Sequence, residues 1–165
     1  MVHVARAILP HLRPLYGLHL KTLNDQVRAM VECMNCPKYP WDLSVILTTD
    51  QQLHRLNKQF RKQDKTTDIL SFPSHNINQP GRFPNVRTPE DRYLGDIYIS
   101  LPYVKKYCDE EGTDINEQMR VLFAHGICHL MGYDHETDQE HERMAKAEDY
   151  LLRCSQKKLS VPMTR

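Results

Sequence analysis

The chain has 165 residues and a formal net charge of +1, with 40% hydrophobic and 26% charged residues. This length suits one domain with a substantial core, and the composition is that of an ordinary globular protein. The near-neutral charge excludes a protein that attracts nucleic acid through an overall positive charge, and the sequence has no apolar run long enough to span a membrane.

The N-terminal part of the chain predicts a strand followed by a helix. Residues 2–9 are apolar and partly β-branched, and two prolines bound them, Pro10 and Pro14. Residues 1–24 contain basic but no acidic residues, which fits either an organelle-targeting segment or the first strand and loop of the mature domain. Apolar residues at helical spacing then predict a helix over residues 20–34.

The middle of the chain predicts a strand, a helix and a second strand. Residues 43–48 form a short buried strand, and Thr49 or Asp50 can cap the helix over residues 50–61. Residues 69–72 form the next strand. The inward face of the helix is predicted to carry Leu53, Leu56 and Phe60.

A long loop precedes the fourth strand. Residues 74–92 contain three prolines, and residues 93–100 alternate in the manner of a strand. Ser100 caps the following helix, which has Pro102 near its first turn.

Two capping-box patterns mark the last two helices. Asp114-x-x-Glu117 starts a broadly apolar helix that we expect to be buried, and Thr137-x-x-Glu140 starts a helix that reaches about Cys154. Residues 155–165 are polar and basic and predict a frayed tail. No linker divides the chain, so residues 1–154 are predicted to form one domain.

Five cysteines stand at positions 33, 36, 108, 128 and 154. Their odd number and irregular spacing favour reduced thiols in an intracellular protein. Cys33 and Cys36 form a C-x-x-C pair, which predicts no redox or metal site without a second pair or a thioredoxin-like setting.

The histidines at positions 125, 129 and 135 carry the strongest chemical signal. His125 and His129 lie one above the other on a helix face, and their imidazoles can reach one metal ion. Gly132 can end the helix through a left-handed conformation, which returns His135 to the same point. Three neutral imidazoles leave the fourth tetrahedral position open, as in catalytic zinc sites.

The spacing His-x3-His-x2-Gly-x2-His is that of the metzincin zinc helix. A metzincin has a glutamate, its general base, directly after the first histidine, where this chain has Gly126. The alternative is that the histidines lie on an ordinary helix surface and that Gly126 only permits close helix packing. Zinc is the favoured metal, although imidazoles also suit nickel and copper.

Three blocks of sequence occur in order between about residues 40 and 153. They are Asn57-x-x-Phe60-Arg61-x-x-Asp64-x-x-Thr67-Asp68-x-Leu70-Ser71-Phe72-Pro73, then Leu94-Gly95-Asp96-Ile97, then the histidine motif. Together they resemble the YbeY family, the single-strand-specific endoribonucleases of ribosomal RNA maturation.

The resemblance implies an α/β domain with a mixed four-stranded sheet and helices packed around it. It implies one zinc ion held by His125, His129 and His135, and a catalytic or substrate-positioning role for Arg61. Arg61 and the ligand His125 are therefore the predicted catalytic residues. The implied partners are single-stranded ribosomal RNA and the small ribosomal subunit, including one of its proteins. The predicted compartment is the cytoplasm or a mitochondrion, the second suggested by the basic residues 1–24.

Residue chemistry supports the same function independently. A bound metal lowers the pKa of water or polarises a phosphoryl oxygen, and Arg61 can stabilise charge that develops on phosphorus. The alternative is that Arg61 has no functional role and is a solvated charge at a helix end. Four further cations lie near it in sequence and either form a solvated face or contact the RNA backbone beside the metal: Arg55, Lys58, Lys62 and Lys65.

Several other side chains have two interpretations. Asp68 and Asp96 either orient a histidine or cap a strand. Tyr93, Phe72 and Phe83 either stack on unpaired bases or pack in the core, with packing favoured for Phe72. Two alternative functions also remain open: a zinc hydrolase of another class, such as a peptidase, and a non-catalytic ribosome-assembly factor braced by zinc.

Overall fold

The computed structural model describes residues 1–34 and 39–161. Within these residues the chain forms one four-stranded sheet and five α-helices, the predicted α/β domain. The strands are β1 (Val2–Val4), β2 (Asp42–Thr48), β3 (Ile69–Pro73) and β4 (Tyr93–Ser100). The helices are α1 (Leu20–Cys33), α2 (Asp50–Arg61), α3 (Leu101–Glu111), α4 (Ile115–Leu130) and α5 (Asp138–Ser160).

The sheet is mixed and has the strand order β1-β2-β4-β3. The first three of these strands are parallel, whereas β3 runs antiparallel to β4 and forms one edge. Ser71 of β3 lies opposite Ile97 of β4, and Phe72 lies opposite Asp96. Because successive side chains point to opposite faces, Ser71 and Ile97 share one face and Phe72 and Asp96 share the other.

The main core lies on the Ile97 face of the sheet. Helix α4 contacts β3 and β4 there, and α1 and α5 pack against each other and against α4. Phe123 and Ile127 of α4 are fully buried, as expected for a broadly apolar helix. A helix held on several sides positions its histidines rigidly.

The helix starts follow the predicted caps. Thr49 accepts a hydrogen bond from the first turn of α2, and Thr137 forms a complete capping box at α5. Asp114 accepts from the backbone N–H of Glu117, but the Glu117 carboxylate pairs with Arg120 at 3.0 Å. The capping box predicted for α4 is therefore only half formed.

Three element predictions are wrong in part. The first strand stops at Val4, because a turn in which Ile8 donates to the carbonyl of Ala5 replaces its second half. The frayed tail predicted from residue 155 is helical up to Ser160. Phe60, predicted to face inward, is 58% exposed.

The prediction of five reduced thiols is also wrong, because Cys33 and Cys154 form a disulfide. The close packing of α1 on α5 brings their Cα atoms to 6.0 Å across a sequence separation of 121 residues. Such a pairing leaves no trace in the spacing of the cysteines. Cys108 and Cys128 are buried thiols. Cys36, and with it the C-x-x-C interpretation, lies outside the described residues.

The basic N-terminal stretch contributes to the folded domain. Residues 2–4 form β1 and residues 20–33 form α1, in agreement with the second of its two interpretations. Across residues 1–34 and 39–161, every helix is too short or too polar to cross a membrane.

Candidate metal centre and its cleft

Helix α4 presents His125 and His129 on the same face, one helical turn apart. Their Nε2 atoms lie 3.2 Å from each other, and both side chains are only partly exposed. The i, i+4 spacing produces this arrangement because side chains four residues apart stack along a helix.

A glycine turn brings the third histidine to the same place. Helix α4 ends at Leu130, and Gly132 has a φ of +85°. A Cβ at this position would lie 2.6 Å from the carbonyl oxygen of Ile77, so the turn needs glycine for both its conformation and its close packing. The ring of His135 then lies 5.1 Å from that of His129, between centroids. One ligand nitrogen from each of His125, His129 and His135 lies within 4.8 Å of the others, so the three can hold a metal ion.

Two hydrogen bonds orient the helical histidines. The Nδ1 of His125 donates to Oε1 of Glu148 on α5 at 3.0 Å, and the Nδ1 of His129 donates to the backbone carbonyl of Tyr133 at 3.1 Å. A carboxylate and a carbonyl only accept hydrogen bonds, so each Nδ1 carries the proton. The lone pair of each ring is thereby placed on Nε2, the nitrogen that faces the other histidine.

The protonation of the surrounding groups suits a metal bound by nitrogen. Burial, followed by the nearby His125 and His135, lowers the pKa of His129 to about 4, so this ring is neutral at physiological pH. Burial and the charge of Glu148 raise the pKa of Cys128 to about 12. Cys128 therefore remains a thiol, and it is not part of the ligand cluster although it lies between two ligands in sequence.

Gly126 occupies the position of the metzincin glutamate and packs against the sheet. A Cβ at Gly126 would lie 2.8 Å from Cδ1 and 2.9 Å from Cγ2 of Ile97, which is fully buried. The position therefore points to the core rather than to the histidines. A carboxylate cannot be accommodated there without moving α4 away from β4.

Arg61 shares a cleft with His129, one of the three candidate ligands. The cleft has a volume of about 240 Å³ and lies at the edge strand β3, which contributes Ser71 and Pro73 to it. Arg61, at the end of α2, lines this cleft together with His129. Arg61 is exposed and its side chain has no hydrogen bond or ion pair with any described residue, so its guanidinium is available to an anionic ligand.

The other predicted cations divide into two groups. Lys58 pairs with Asp64 at 3.2 Å, and Lys62 donates to a backbone carbonyl at 2.9 Å. Arg55 and Lys65 are exposed and make no such contact within the described part of the chain. None of these four residues lines the cleft that contains Arg61.

Polar residues around Arg61 build the turn that presents it. The buried amide of Asn57 donates to the carbonyl of Lys65 at 2.9 Å, and Asp64 accepts from His54 at 2.6 Å. Hydrogen bonds from His54 and then Lys58 lower the pKa of Asp64. Lys62 takes a left-handed conformation with a φ of 58°, which ends α2 directly after Arg61.

Asp68 and Asp96 cap and brace strands instead of orienting histidines. Asp68 accepts from the N–H of Ile69 at 2.8 Å, and Asp96 accepts from the hydroxyl of Tyr93 at 2.5 Å. Glu148 and the Tyr133 carbonyl occupy the orienting positions. No local signal singles out Glu148, because it is one of several acidic residues on a mostly polar helix.

The predicted stacking residues have structural partners. Phe83 packs against Trp41 with 5.2 Å between ring centroids, and Phe72 packs edge-on against Phe60 at 5.3 Å. Burial and the hydrogen bond to Asp96 raise the pKa of Tyr93 to about 12. These contacts favour packing for all three predicted residues, whereas Phe60, the ring packed on Phe72, is largely exposed.

Known proteins are similar to this chain in sequence over most of its length. The family model described as endoribonuclease YbeY matches residues 17–156. A relative from Nautilia profundicola named endoribonuclease YbeY is 43% identical over 73% of this chain and 74% of its own length. A protein of the same name from Persephonella marina is 37% identical over 80% of each chain. The human protein of that name is 29% identical over 88% of this chain and 85% of its own.

One solved structure supports the fold. The solution structure of a Thermotoga maritima protein matches with a TM-score of 0.57 and 22% identity, and the match covers all of both chains.

Proposed function

The chain belongs to the YbeY endoribonuclease family, and from this we propose that it is a zinc-dependent endoribonuclease that cleaves single-stranded RNA. One observation carries the proposal: Arg61, an unpaired cation, lines the same cleft as His129 of the three-histidine cluster. A phosphodiester that enters this cleft meets a metal-binding group and a guanidinium together.

Zinc fits the donor set. His125, His129 and His135 would hold it, since neutral imidazole nitrogens are ligands that zinc prefers. When bound, zinc supplies Lewis acidity and activates water for attack on phosphorus. Glu148 keeps the proton of His125 on Nδ1, and the Tyr133 carbonyl does the same for His129.

Arg61 would bind a non-bridging phosphate oxygen and stabilise the charge that develops on phosphorus. Its planar guanidinium can donate two parallel hydrogen bonds, which position the phosphate as well as neutralise it. Arg55, Lys58, Lys62 and Lys65 would attract the flanking backbone, and the unpaired Arg55 and Lys65 are the more available of the four.

The packing of Gly126 argues against the peptidase alternative. Peptidases with this histidine spacing use a glutamate in that position as general base, and here the position faces Ile97 in the core. Phosphodiester cleavage assisted by a metal and a cation does not require that carboxylate.

We place the activity in ribosomal RNA processing and small-subunit maturation. The proposed partners are the RNA and the small subunit with one of its proteins, and the proposed compartments are the cytoplasm and the mitochondrion. The preference for single strands has a physical reason, because attack in line with the leaving oxygen requires a backbone that can rotate, and a duplex resists this rotation.

Metal analysis and cleavage assays on the same preparation test the proposal. We expect about one zinc per chain, loss of most zinc in His129→Ala, and cleavage of single-stranded RNA but not of duplex RNA or casein. A chelator or His125→Ala should abolish cleavage. Zinc-loaded protein that cuts no RNA, or activity that survives in His125→Ala, would refute the nuclease and favour the zinc-braced assembly factor.

A further inference from the structure

Phe60 is an exposed aromatic ring on the apolar side of α2. It lies at the end of α2 directly before Arg61, and 58% of its surface is exposed. Leu53, on the same apolar side of the helix, is fully buried. The chain therefore keeps a large ring in water next to the cleft, at a cost in hydrophobic free energy.

Phe60 is the outermost of three aromatic rings in contact. Its ring meets Phe72 edge-on, with 5.3 Å between centroids and an interplanar angle of 69°. Phe72 in turn meets Tyr98 at 5.7 Å and 87°. The inner rings fix the outer one, so Phe60 is both exposed and held in place.

The aromatic row lies beside the cleft of the candidate active site through its chain neighbours, and neither Phe60 nor Phe72 lines the cleft itself. Phe60 precedes Arg61, while Phe72 lies between Ser71 and Pro73 on β3, and these three neighbours all line the cleft. Phe72 points to the face opposite Ser71, so the row lies across the edge of the sheet from the side on which Ser71 lines the cleft.

We propose that the ring of Phe60 is a stacking platform for an unpaired base of the RNA substrate, next to the phosphate bound by Arg61. This inference rests on the proposed function. A base can stack on Phe60 only when it is not paired, so the platform would add discrimination against duplexes to the backbone argument given above. It would accept any base, because every base has a π face.

The competing role for Phe60 is purely structural, as a ring that holds α2 to β3. The two roles predict different effects of a Phe60 substitution on stability and on ligand binding. A structural ring affects the stability of the protein and all ligands alike, whereas a stacking ring affects only ligands that carry bases.

The test compares two probes of the same length, an oligoadenylate and an abasic oligomer with the same phosphates. Binding to zinc-loaded protein is followed by fluorescence anisotropy before cleavage becomes detectable. Phe60→Leu keeps an apolar contact with Phe72 and removes the flat face, and we expect roughly tenfold weaker binding of oligoadenylate with unchanged binding of the abasic probe. The matched control is Tyr107→Leu, since Tyr107 is a 43% exposed ring on α3.

Phe60→Trp provides a direct readout in a variant that keeps the aromatic face. Its indole fluorescence should be quenched by oligoadenylate and not by the abasic probe, over the background of the buried Trp41. Equal binding of oligoadenylate by Phe60→Leu and wild type, or equal losses with both probes, would overturn the inference. If wild type cleaves RNA in either case, the nuclease function stands alone. If wild type neither binds nor cleaves RNA, both proposals fall.

Discussion

Nδ1 of His125 on α4 donates a hydrogen bond to Oε1 of Glu148 on α5, over a distance of 3.0 Å. This contact joins the helix that carries two candidate ligands to the last helix of the domain. Both side chains are about a quarter exposed, at 29% and 25%, so water weakens the bond only in part. The geometry of the histidine cluster thus depends on the docking of α5.

Replacing Glu148 by alanine should weaken zinc binding about 10- to 100-fold, because the ring of His125 would lose its fixed orientation and tautomer. Competition with a zinc chelator measures the effect. Glu142→Ala is the matched control, since Glu142 lies on the same helix and pairs with the exposed Lys146 instead of a histidine of the cluster. Equal zinc affinity in wild type and Glu148→Ala would show that the hydrogen bond does not position the ligand.

Arg61→Ala should lower the rate of RNA cleavage on the order of 10²-fold while zinc content and folding stay unchanged. Arg61→Lys keeps the positive charge but lacks the two parallel donors of a guanidinium. Its rate of RNA cleavage should lie between the rates of Arg61→Ala and wild type. Arg28→Ala on α1 is the control, because Arg28 pairs with Asp25 away from the cleft. Cleavage by Arg61→Ala at the wild-type rate would remove Arg61 from the mechanism.

Gly126→Ala should destabilise the protein by about 1–3 kcal/mol, because the added methyl group overlaps Ile97. The gain in helix propensity, about 1 kcal/mol, offsets only part of this cost. Ile97→Val removes the nearest atom, Cδ1. The loss of unfolding free energy in the double variant Gly126→Ala/Ile97→Val should therefore be smaller, by at least ~0.5 kcal/mol, than the sum of the losses in the two single variants. Urea unfolding provides the free energies, and an alanine variant as stable as wild type would contradict the packing argument.

Alkaline pH should weaken the fold through Tyr93. Burial and the bond to Asp96 raise the pKa of Tyr93 to about 12 in the folded protein, above the value of about 10 expected for an unfolded chain. The unfolded state therefore releases this proton first, and the stabilisation present below pH 10 is lost as the pH rises towards 12. Unfolding at pH 9 and pH 11 should differ less in Tyr93→Phe than in wild type, and an identical difference would exclude Tyr93 as the cause.

The disulfide should add stability in the oxidised protein. Closing a loop of this length restricts the unfolded chain, and the usual contribution is about 2–4 kcal/mol. Cys154→Ser should therefore unfold at a lower denaturant concentration than wild type without reductant. With reductant, the denaturant concentrations at which the two proteins unfold should be more similar. Equal unfolding concentrations under oxidising conditions would show that the disulfide is not formed.

Local sequence predicted the elements and the metal motif because both depend on short-range rules. Thr49 and Thr137 are N-cap residues and mark the starts of α2 and α5. The spacing of His125, His129 and His135 around Gly132 is nearly sufficient to predict the histidine cluster. A helix repeat and one left-handed residue suffice to bring those rings together.

Contacts between distant segments were beyond these rules. Glu148 reaches His125 only because α5 packs on α4, and Cys33 meets Cys154 only because α1 packs on α5. The exposure of Phe60 has the same origin. Helical spacing places Phe60 on the apolar side of α2, but the sheet edge ends before it can cover the ring.

The disulfide between α1 and α5 also gives the chain the topology of a ring. Arg61, Phe60 and the histidine cluster all lie between Cys33 and Cys154, within one covalently closed loop. A single break in the backbone anywhere in that loop, such as proteolysis in the long segment between β3 and β4, leaves the two pieces joined. The nicked molecule would migrate as one species on a denaturing gel until a reductant released it as two.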